Sequence, residues 1–210
     1  MPLLAYCVVL DDRATKLPCE GVLGARIELV AESGLIALCS EIERSAISSG
    51  NFQQAALEFH CAVQAVFAAK AVIPFRFPTW LSTEEMRAHL RQESPRYQAF
   101  LAKHADQVQM EIRIQTEPAV PISAASGTEH LRARAAQMRK LSDQAQQIKN
   151  LAADARIEWR DRATSDGIRL FALVLRSSIQ SFREKLNSVP ARITGPWPAT
   201  EFFESPPRKD

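Results

Sequence analysis

The sequence predicts an α+β fold in two domains. Short apolar runs of strand length, such as Leu3–Leu10 and Ile168–Leu175, alternate with longer segments whose apolar residues recur every three or four positions. At 210 residues the chain can bury a substantial core. From Val108 onward, the order strand, long helix, strand, helix, strand is typical of a ferredoxin-like sheet with one strand missing or moved. We therefore expect an N-terminal α+β domain over residues 1–105 and a modified ferredoxin-like domain with a long helix over residues 106–210.

The composition is that of a soluble globular protein, with 46% hydrophobic and 24% charged residues. A net charge of +2 is too small to indicate nucleic acid as the main partner. The cysteines are scattered, which favours a reducing cytoplasm over a disulfide framework, and Cys7, Cys39 and Cys61 lie among apolar residues as buried thiols do. The apolar run Leu3–Leu10 is too short to span a membrane and lacks the flanks of a signal peptide.

A hairpin and a helix are predicted near the start of the chain. Ala25–Val30 and Leu35–Cys39 are strand-like runs on either side of Ser33-Gly34, a turn signal. Asn51 is the expected N-cap of a helix whose apolar stripe, beginning at Phe52, faces a core. His60 flanks that stripe without a metal-ligating neighbour, so a structural hydrogen bond to a backbone carbonyl is the favoured role.

The segment Ala71–Trp80 (AVIPFRFPTW) begins as a buried strand. On a strand, Phe75 and Phe77 point to one face, and Arg76 and the two prolines of the segment point to the other. Because proline lacks the N–H that a sheet needs, we expect an edge position or an abrupt end.

The next segments predict a capped helix and a strand. Ser82-Thr83-Glu84-Glu85 is a capping box, and Ser94-Pro95 predicts that the helix stops there and restarts. Val108–Ile114 alternates strictly between apolar and polar residues, which predicts a half-exposed strand.

A linker over Glu117–Gly127 and a long helix over about residues 128–162 are expected next. Apolar residues at seven-residue spacing form a thin heptad stripe, among them Met138 and Ile148. This stripe favours two interpretations equally, a helix lying across a sheet and a helix offered to a partner. The tail after about residue 204 should be disordered.

The sequence contains no catalytic constellation. There is no Gly-rich phosphate loop, GxSxG elbow or HExxH pair, and no two of the four histidines are spaced for one helix turn. We expect neither an enzyme nor a cofactor or metal site.

Four stretches carry a family resemblance. Ser33–Ile42 (SGLIALCSEI) is similar to a GGLAAVVSDV-type hairpin, and Leu57–Phe77 is similar to a helix leading into VLPLRFGT. Val108–Ile114 followed by Ser126–Arg132 resembles a VKV strand and an SGxxYL helix entry, and Ile193–Pro198 (ITGPWP) matches an LTGPWPPYSF ending. These features, in this order, resemble the GvpL/GvpF family of gas vesicle synthesis proteins over nearly the whole chain.

The resemblance implies a non-enzymatic accessory protein of gas vesicle assembly, located in the cytoplasm and on the gas vesicle. Such a protein associates with the small, hydrophobic shell subunit and with other gas vesicle accessory proteins, and aids shell nucleation or assembly. No nucleic acid partner and no membrane span are implied, and a homo-oligomer stays open.

Aromatic anchors suit an apolar client, so the two most specific motifs supply candidate residues. We expect the PFRF and TGPWP motifs to lie near one another, with Trp197 packed against apolar neighbours and Arg76 held by a carbonyl or carboxylate. A purely structural role at the junction of the two domains is the other interpretation. The candidates for partner binding or for the junction are Phe75, Arg76, Phe77, Trp80, Pro196, Trp197 and Phe202.

A function of another class is also compatible with the sequence. An interaction or regulatory module would dimerise through the long heptad helix, without catalysis.

Overall fold

The computed structural model describes residues 2–11, 20–115, 127–154, 156–164 and 166–203. The chain divides into two compact units, Met1–Asp106 and Gln107–Asp210, and each is described by itself. Each unit combines helices with an antiparallel sheet, which confirms the predicted α+β class. Independent folding of the two parts stays a prediction.

The sheet of the first unit is built around strand β1 (Leu3–Leu10). On one side β1 pairs with β3 (Leu35–Glu41), which in turn pairs with β2 (Glu28–Glu32). On the other side β1 pairs with the two-residue strands β4 (Ile73–Pro74) and β5 (Trp80–Leu81). The first seven residues of β1 are buried, as expected for a central strand covered on both faces.

The predicted hairpin is confirmed. Strands β2 and β3 are joined at Ser33 and Gly34, whose φ angles of 50° and 72° are both positive. A two-residue hairpin turn with this backbone matches the twist of the strands, and glycine adopts it without steric cost.

Helix α1 (Phe52–Phe67) begins after Asn51, as predicted, but Asn51 does not cap it with its side chain. Its Oδ1 accepts a hydrogen bond from the N–H of Ser48 at 2.8 Å, and its Nδ2 donates to the carbonyl of Ala46 at 2.8 Å. The amide side chain therefore fastens the turn that precedes the helix.

Helix α2 (Thr83–Lys103) opens with the predicted capping box. The N–H of Glu85 donates to the hydroxyl of Ser82 at 3.2 Å, and the Glu85 carboxylate accepts from the N–H of Ser82 at 2.6 Å. The predicted stop and restart at Ser94-Pro95 is wrong, because the helix runs through both residues. Ser94 is buried, and its hydroxyl donates to the carbonyl of Ser33 at 3.0 Å, so it serves a tertiary contact instead of a cap.

The second unit has six main elements in the order strand, helix, strand, strand, helix, strand. They are β6 (Gln107–Gln115), α3 (Gly127–Leu151), β7 (Glu158–Thr164), β8 (Gly167–Leu175), α4 (Ile179–Lys185) and β9 (Arg192–Trp197). The sheet order is β7-β8-β6-β9, and all pairs are antiparallel. This is the complete βαββαβ arrangement of a ferredoxin-like sheet.

The prediction of a missing strand and that of a helix reaching residue 162 are both wrong for one reason. Helix α3 ends at Leu151, and Trp159 and Arg162 belong to β7, which pairs with β8 along its whole length. The helical spacing of apolar residues continues past the end of the helix, but backbone pairing with β8 decides the local structure.

Helix α3 lies across the sheet over its second half. Leu141, Ala145 and Ile148 are buried, and the helix contacts β6 and β8. Leu131, near the start of the helix, is 67% exposed. For the second half of the heptad stripe, this confirms the interpretation of a helix lying across a sheet.

Strand β6 is not half-exposed, as its alternating pattern predicted. Gln109 and Glu111 are 5% and 8% exposed, and both side chains have polar partners. The Glu111 carboxylate pairs with Arg113, and the Gln109 side chain accepts a hydrogen bond from the backbone of Glu201.

The predicted linker, except for its last residue, and the predicted disordered tail lie outside the described residues. Within the described part of the chain, no helix is both long enough and apolar enough to cross a membrane.

Replacing Ser82 by Ala should lower the free energy of unfolding by about 1 kcal/mol, because the N–H of Glu85 loses its acceptor. Thr83→Ala is the matched control, since Thr83 is exposed at the first helical position. Urea unfolding followed by circular dichroism measures both. Equal stability of the two variants would show that the capping box does not stabilise α2.

Candidate partner-binding site

The PFRF segment runs beside β1 but leaves the sheet in its middle. The N–H of Phe75 donates to the carbonyl of Tyr6 at 2.9 Å, and the N–H of Ala5 donates to the carbonyl of Thr79 at 3.0 Å. Between these contacts the Phe77–Pro78 peptide is cis. The segment begins as a strand, as predicted, and ends abruptly after Pro74, as its prolines predict.

Phe75 and Phe77 do not share a face. The Phe77 ring contacts helix α1, with centroid distances of 5.1 Å to Phe59 and 5.3 Å to Phe52. The Phe75 ring lies 5.7 Å from the ring of His89 on helix α2. Strand alternation does not apply here, because the chain has left the sheet after Pro74.

Tyr6 anchors the inner end of this aromatic group. Its ring stacks on Phe59 at 5.3 Å, and its hydroxyl donates to Ser40 Oγ at 3.2 Å and accepts the N–H of Val22 at 2.8 Å. Burial raises the pKa of Tyr6, and the hydrogen bonds to Ser40 and Val22 partly oppose that rise. A Cβ at Gly21 would lie 2.2 Å from this hydroxyl, so the loop approaches it closely. Sequence analysis missed Tyr6, although a tyrosine in an apolar run signals a buried hydroxyl that needs partners.

The other candidates of the first unit are less enclosed. Arg76 is exposed, and its guanidinium makes no hydrogen bond or ion pair with the described residues, contrary to the expected carbonyl or carboxylate partner. Trp80 is half-buried in β5, opposite Leu4. His60 is exposed on α1.

The TGPWP motif ends β9 against β6. Gly195 has a φ of 120°, and the Gly195–Pro196 peptide is cis. A Cβ at Gly195 would lie 2.9 Å from the carbonyl oxygen of Gln109, and the ladder register shifts at this point. Arg183 of α4 donates to the carbonyl of Gly195 at 2.6 Å, which ties the strand to that helix.

The aromatic residues of this motif are largely enclosed in their own unit. Trp197 is half-buried, lies opposite Gln109 in the ladder, and its indole N–H points to Thr194 Oγ1 at 3.5 Å. Phe202 is only 5% exposed, and the Arg160 guanidinium lies 5.1 Å from its ring centroid. Phe202 therefore does not serve as an exposed anchor. The two motifs belong to different units, and their proximity stays a prediction.

The first unit also has large apolar side chains at its surface, which the sequence analysis did not select. Leu23, Leu29, Phe52 and Leu57 are 43%, 50%, 46% and 55% exposed, and we call them the exposed apolar set. Phe52 and Leu57 are on α1, and the N–H of Leu23 donates to the carboxylate of Glu58 on the same helix. The predicted inward position of Phe52 is wrong, because its ring covers Phe77 at the surface.

The described residues contain no group of three His, Cys, Asp or Glu side chains arranged to hold a metal ion. Burial raises the pKa of the Cys7 and Cys39 thiols to about 12, so both stay protonated at neutral pH. Cys61 is exposed, so its predicted burial is wrong.

Replacing Gly195 by Ala should lower the free energy of unfolding by about 1–3 kcal/mol, because a side chain is strained at this backbone angle and meets the Gln109 carbonyl. Gly50→Ala is the control, since the nearest atom to a Cβ there is Ser48 Oγ at 3.8 Å. Denaturant unfolding compares the two, and a Gly195 variant as stable as the Gly50 variant would refute the close approach.

Comparison with known proteins gives structural matches over almost the entire chain. The gas vesicle protein GvpF from Anabaena sp. PCC7120 is matched with a TM-score of 0.77 and 12% identity, over 98% of this chain and 97% of that one. GvpF from Microcystis aeruginosa is matched with a TM-score of 0.71 and 15% identity, over 96% and 98%. At these identities the likeness establishes the fold. A comparison with curated protein sequences finds no match.

The sequence also matches a family model over residues 2–172, described as gas vesicle synthesis protein GvpL/GvpF. The matched range includes the hairpin, the PFRF segment and the strand that begins the second unit, whereas the TGPWP ending lies beyond it. The match covers well over half of the chain, and the chain therefore belongs to the GvpL/GvpF family of gas vesicle synthesis proteins.

Proposed function

We propose that this protein is a non-enzymatic assembly factor that binds the hydrophobic shell subunit of the gas vesicle and aids its nucleation or assembly. It would act in the cytoplasm and at the vesicle, together with other gas vesicle proteins. The observation that carries the proposal is the exposed apolar set on the first unit of a gas vesicle family member.

The physical problem that such a factor solves is aggregation. A shell subunit with a large apolar surface associates with its own copies unless another surface covers it. The exposed apolar set offers leucines and one aromatic ring for this contact, and burying each of them removes apolar area from water, worth roughly 25 cal/mol per Å².

Phe52 is the best-supported anchor of the set. Its ring rests on Phe77, which also contacts Phe59, and Phe59 in turn stacks on the buried Tyr6. A ring held by packed neighbours loses little side-chain freedom on binding, which is the advantage of a preorganised contact. Arg76 is exposed in the same segment as Phe77 and would lie in the polar rim of such an interface.

In this proposal the PFRF and TGPWP motifs stabilise their own units and do not themselves form the binding surface. Phe77 holds Phe52 in place, and Phe75 packs on helix α2. Trp197 and Phe202 would stabilise the end of the second unit, where they are half-buried and buried.

Dimerisation through helix α3 has less support. Ile148 of its heptad stripe is 2% exposed, and Leu141 is 3% exposed, so these positions already pack within their own unit. The large apolar side chains that α3 leaves exposed, Leu131 near its start and Leu151 at its end, lie about five turns apart and do not form a continuous stripe for a second copy.

Co-expression with the host's shell subunit tests the binding surface. The tagged wild-type protein should retain soluble shell subunit. Phe52→Ser combined with Leu57→Ser should reduce the retained amount at least about tenfold, because losing two apolar anchors that the complex would bury costs more than 1.4 kcal/mol. Leu131→Ser is the matched control, because it removes an exposed leucine from the second unit.

Circular dichroism shows whether each variant is folded. Full retention of the shell subunit by the double variant would refute the exposed apolar set as the binding surface. An equal loss of retention with Leu131→Ser would also refute it, because any exposed leucine would then have the same effect. A folded wild-type protein that retains no shell subunit would refute shell binding itself, with the family membership unaffected.

Trp197→Ala separates a structural role from a binding role at the second motif. We expect the free energy of unfolding to fall by about 2 kcal/mol, because a half-buried indole is lost from the sheet end. Retention of the shell subunit by the folded fraction should stay at the wild-type level. A variant of wild-type melting temperature that no longer retains the subunit would instead assign Trp197 to the interface.

A further inference from the structure

The sheet of the second unit carries a row of four arginines, one on each strand. In the ladder, Arg162 of β7 lies opposite Arg169 of β8, and Arg169 lies opposite Arg113 of β6. Arg113 in turn lies opposite Arg192 of β9. Directly paired residues share a face of a sheet, so the four side chains leave the same face. We call them the arginine row.

This face is the one that helices α3 and α4 do not cover. Asp161 of β7 accepts a hydrogen bond from Lys149 of α3 at 2.6 Å, and Trp159 contacts Phe182 of α4 with ring centroids 6.2 Å apart. Alternation along β7 then directs Arg162 to the opposite face, and the rest of the row follows it.

The row is accessible and carries an excess of positive charge. The side chains of Arg162, Arg169 and Arg113 are 56%, 37% and 39% exposed, and Arg192 is exposed as well. Neighbouring strands are about 4.8 Å apart, and like charges directly opposite each other destabilise a sheet. An anionic partner across the row would offset this repulsion.

The carboxylates of the chain only partly neutralise the row. Glu111 pairs with Arg113 at 2.8 Å and with Arg169 at 3.7 Å, and Glu201 pairs with Arg162. Asp166, beside Arg169 and Arg113, adds a third negative charge. Among the described residues Arg192 has no ion pair, so the uncompensated charge is greatest at the β9 end.

The same face already binds one acidic segment, which belongs to this chain. Within the 3-10 turn Thr200–Phe202, the Glu201 carboxylate contacts Arg162, and the Glu201 carbonyl accepts from Arg160 at 2.7 Å. The ring of Phe202 lies under the Arg160 guanidinium, and the N–H of Glu201 donates to Gln109 Oε1 at 3.0 Å. A helical turn with a carboxylate facing the sheet is therefore a ligand that this surface accommodates.

We propose that Arg113, Arg169 and Arg192 bind a helical segment of a partner protein that presents a stripe of carboxylates. Side chains three or four residues apart on a helix are about 5–6 Å from each other, close to the spacing of the row. The planar guanidinium matches a carboxylate with two parallel hydrogen bonds. A polynucleotide fits less well, because Glu111 and Glu201 interrupt the row and the chain has a net charge of only +2.

This surface is separate from the exposed apolar set, which belongs to the first unit. The proposed acidic partner and the proposed apolar client therefore contact different residues, and each contact is tested by its own variants. The inference therefore stands or falls independently of shell binding.

Fluorescence anisotropy with a labelled helical peptide tests the arginine row. The peptide carries glutamates three and four residues apart on one face, and a matched peptide carries glutamines at the same positions. The full-length protein should bind the glutamate peptide, less tightly at high salt, and should bind the glutamine peptide at least about tenfold more weakly. Arg192→Gln and Arg169→Gln should each weaken glutamate-peptide binding about tenfold, which corresponds to one charge-assisted hydrogen bond.

Arg139→Gln is the matched control, because it removes an exposed arginine from helix α3. It should leave peptide affinity unchanged, and circular dichroism should show all three variants folded. Because Arg169 contacts Glu111 whereas Arg192 has no ion pair among the described residues, the Arg192 variant decides the result if the Arg169 variant is unstable.

The proposal is overturned if the glutamate and glutamine peptides bind equally, or if Arg192→Gln binds like wild type. Tighter binding of a single-stranded oligonucleotide than of the glutamate peptide, lost in Arg192→Gln, would overturn it in favour of nucleic acid. The Arg192 variant should retain the shell subunit like wild type in the co-expression assay, and loss of retention would overturn the assignment of the arginine row to a partner other than the shell subunit.

Discussion

The buried hydroxyl of Tyr6 is the interaction on which the first unit depends. It accepts the N–H of Val22 and donates to Ser40, so it joins the loop before β2 to the middle of the sheet. Leaving these groups without partners in the core would cost about 1–3 kcal/mol, and the Tyr6 ring at the same time supports Phe59 and, through it, Phe77. The hydrogen bonds of the Tyr6 hydroxyl therefore help to hold the PFRF motif in place.

Glu111 has the corresponding role in the second unit. Its carboxylate is largely buried on the central strand and pairs with Arg113 and Arg169. A buried carboxylate needs such partners, and a row of cross-strand arginines needs a negative charge to limit its repulsion. Glu111 and the arginines therefore stabilise each other. This explains why the sheet tolerates a buried carboxylate that its alternating sequence pattern predicts to be exposed. No carboxylate among the described residues pairs with Arg192, so its positive charge is available to a partner.

Much of the fold could be predicted because its signals are local. The Ser33-Gly34 turn and the capping box at Ser82 depend on residues within four positions, and both are found. Strand β7 could not be predicted, because the residues from Glu158 to Thr164 continue the helical spacing of α3, and only pairing with β8 makes them a strand. The burial of Glu111 was missed for the same reason, since its partner Arg169 is distant in the sequence.

The candidate site shows a different limit of sequence reasoning. Specific motifs single out residues with strict structural requirements, such as Gly195, whose Cβ would meet a backbone carbonyl, and Phe202, which is enclosed in its own unit. A binding surface has the opposite property, since its side chains must be free of strict packing to meet a partner. Leu23 and Arg192 carry no motif and gain their meaning only from exposure and from their neighbours in space. In this chain the motifs are therefore better guides to what holds a surface in place than to the surface itself.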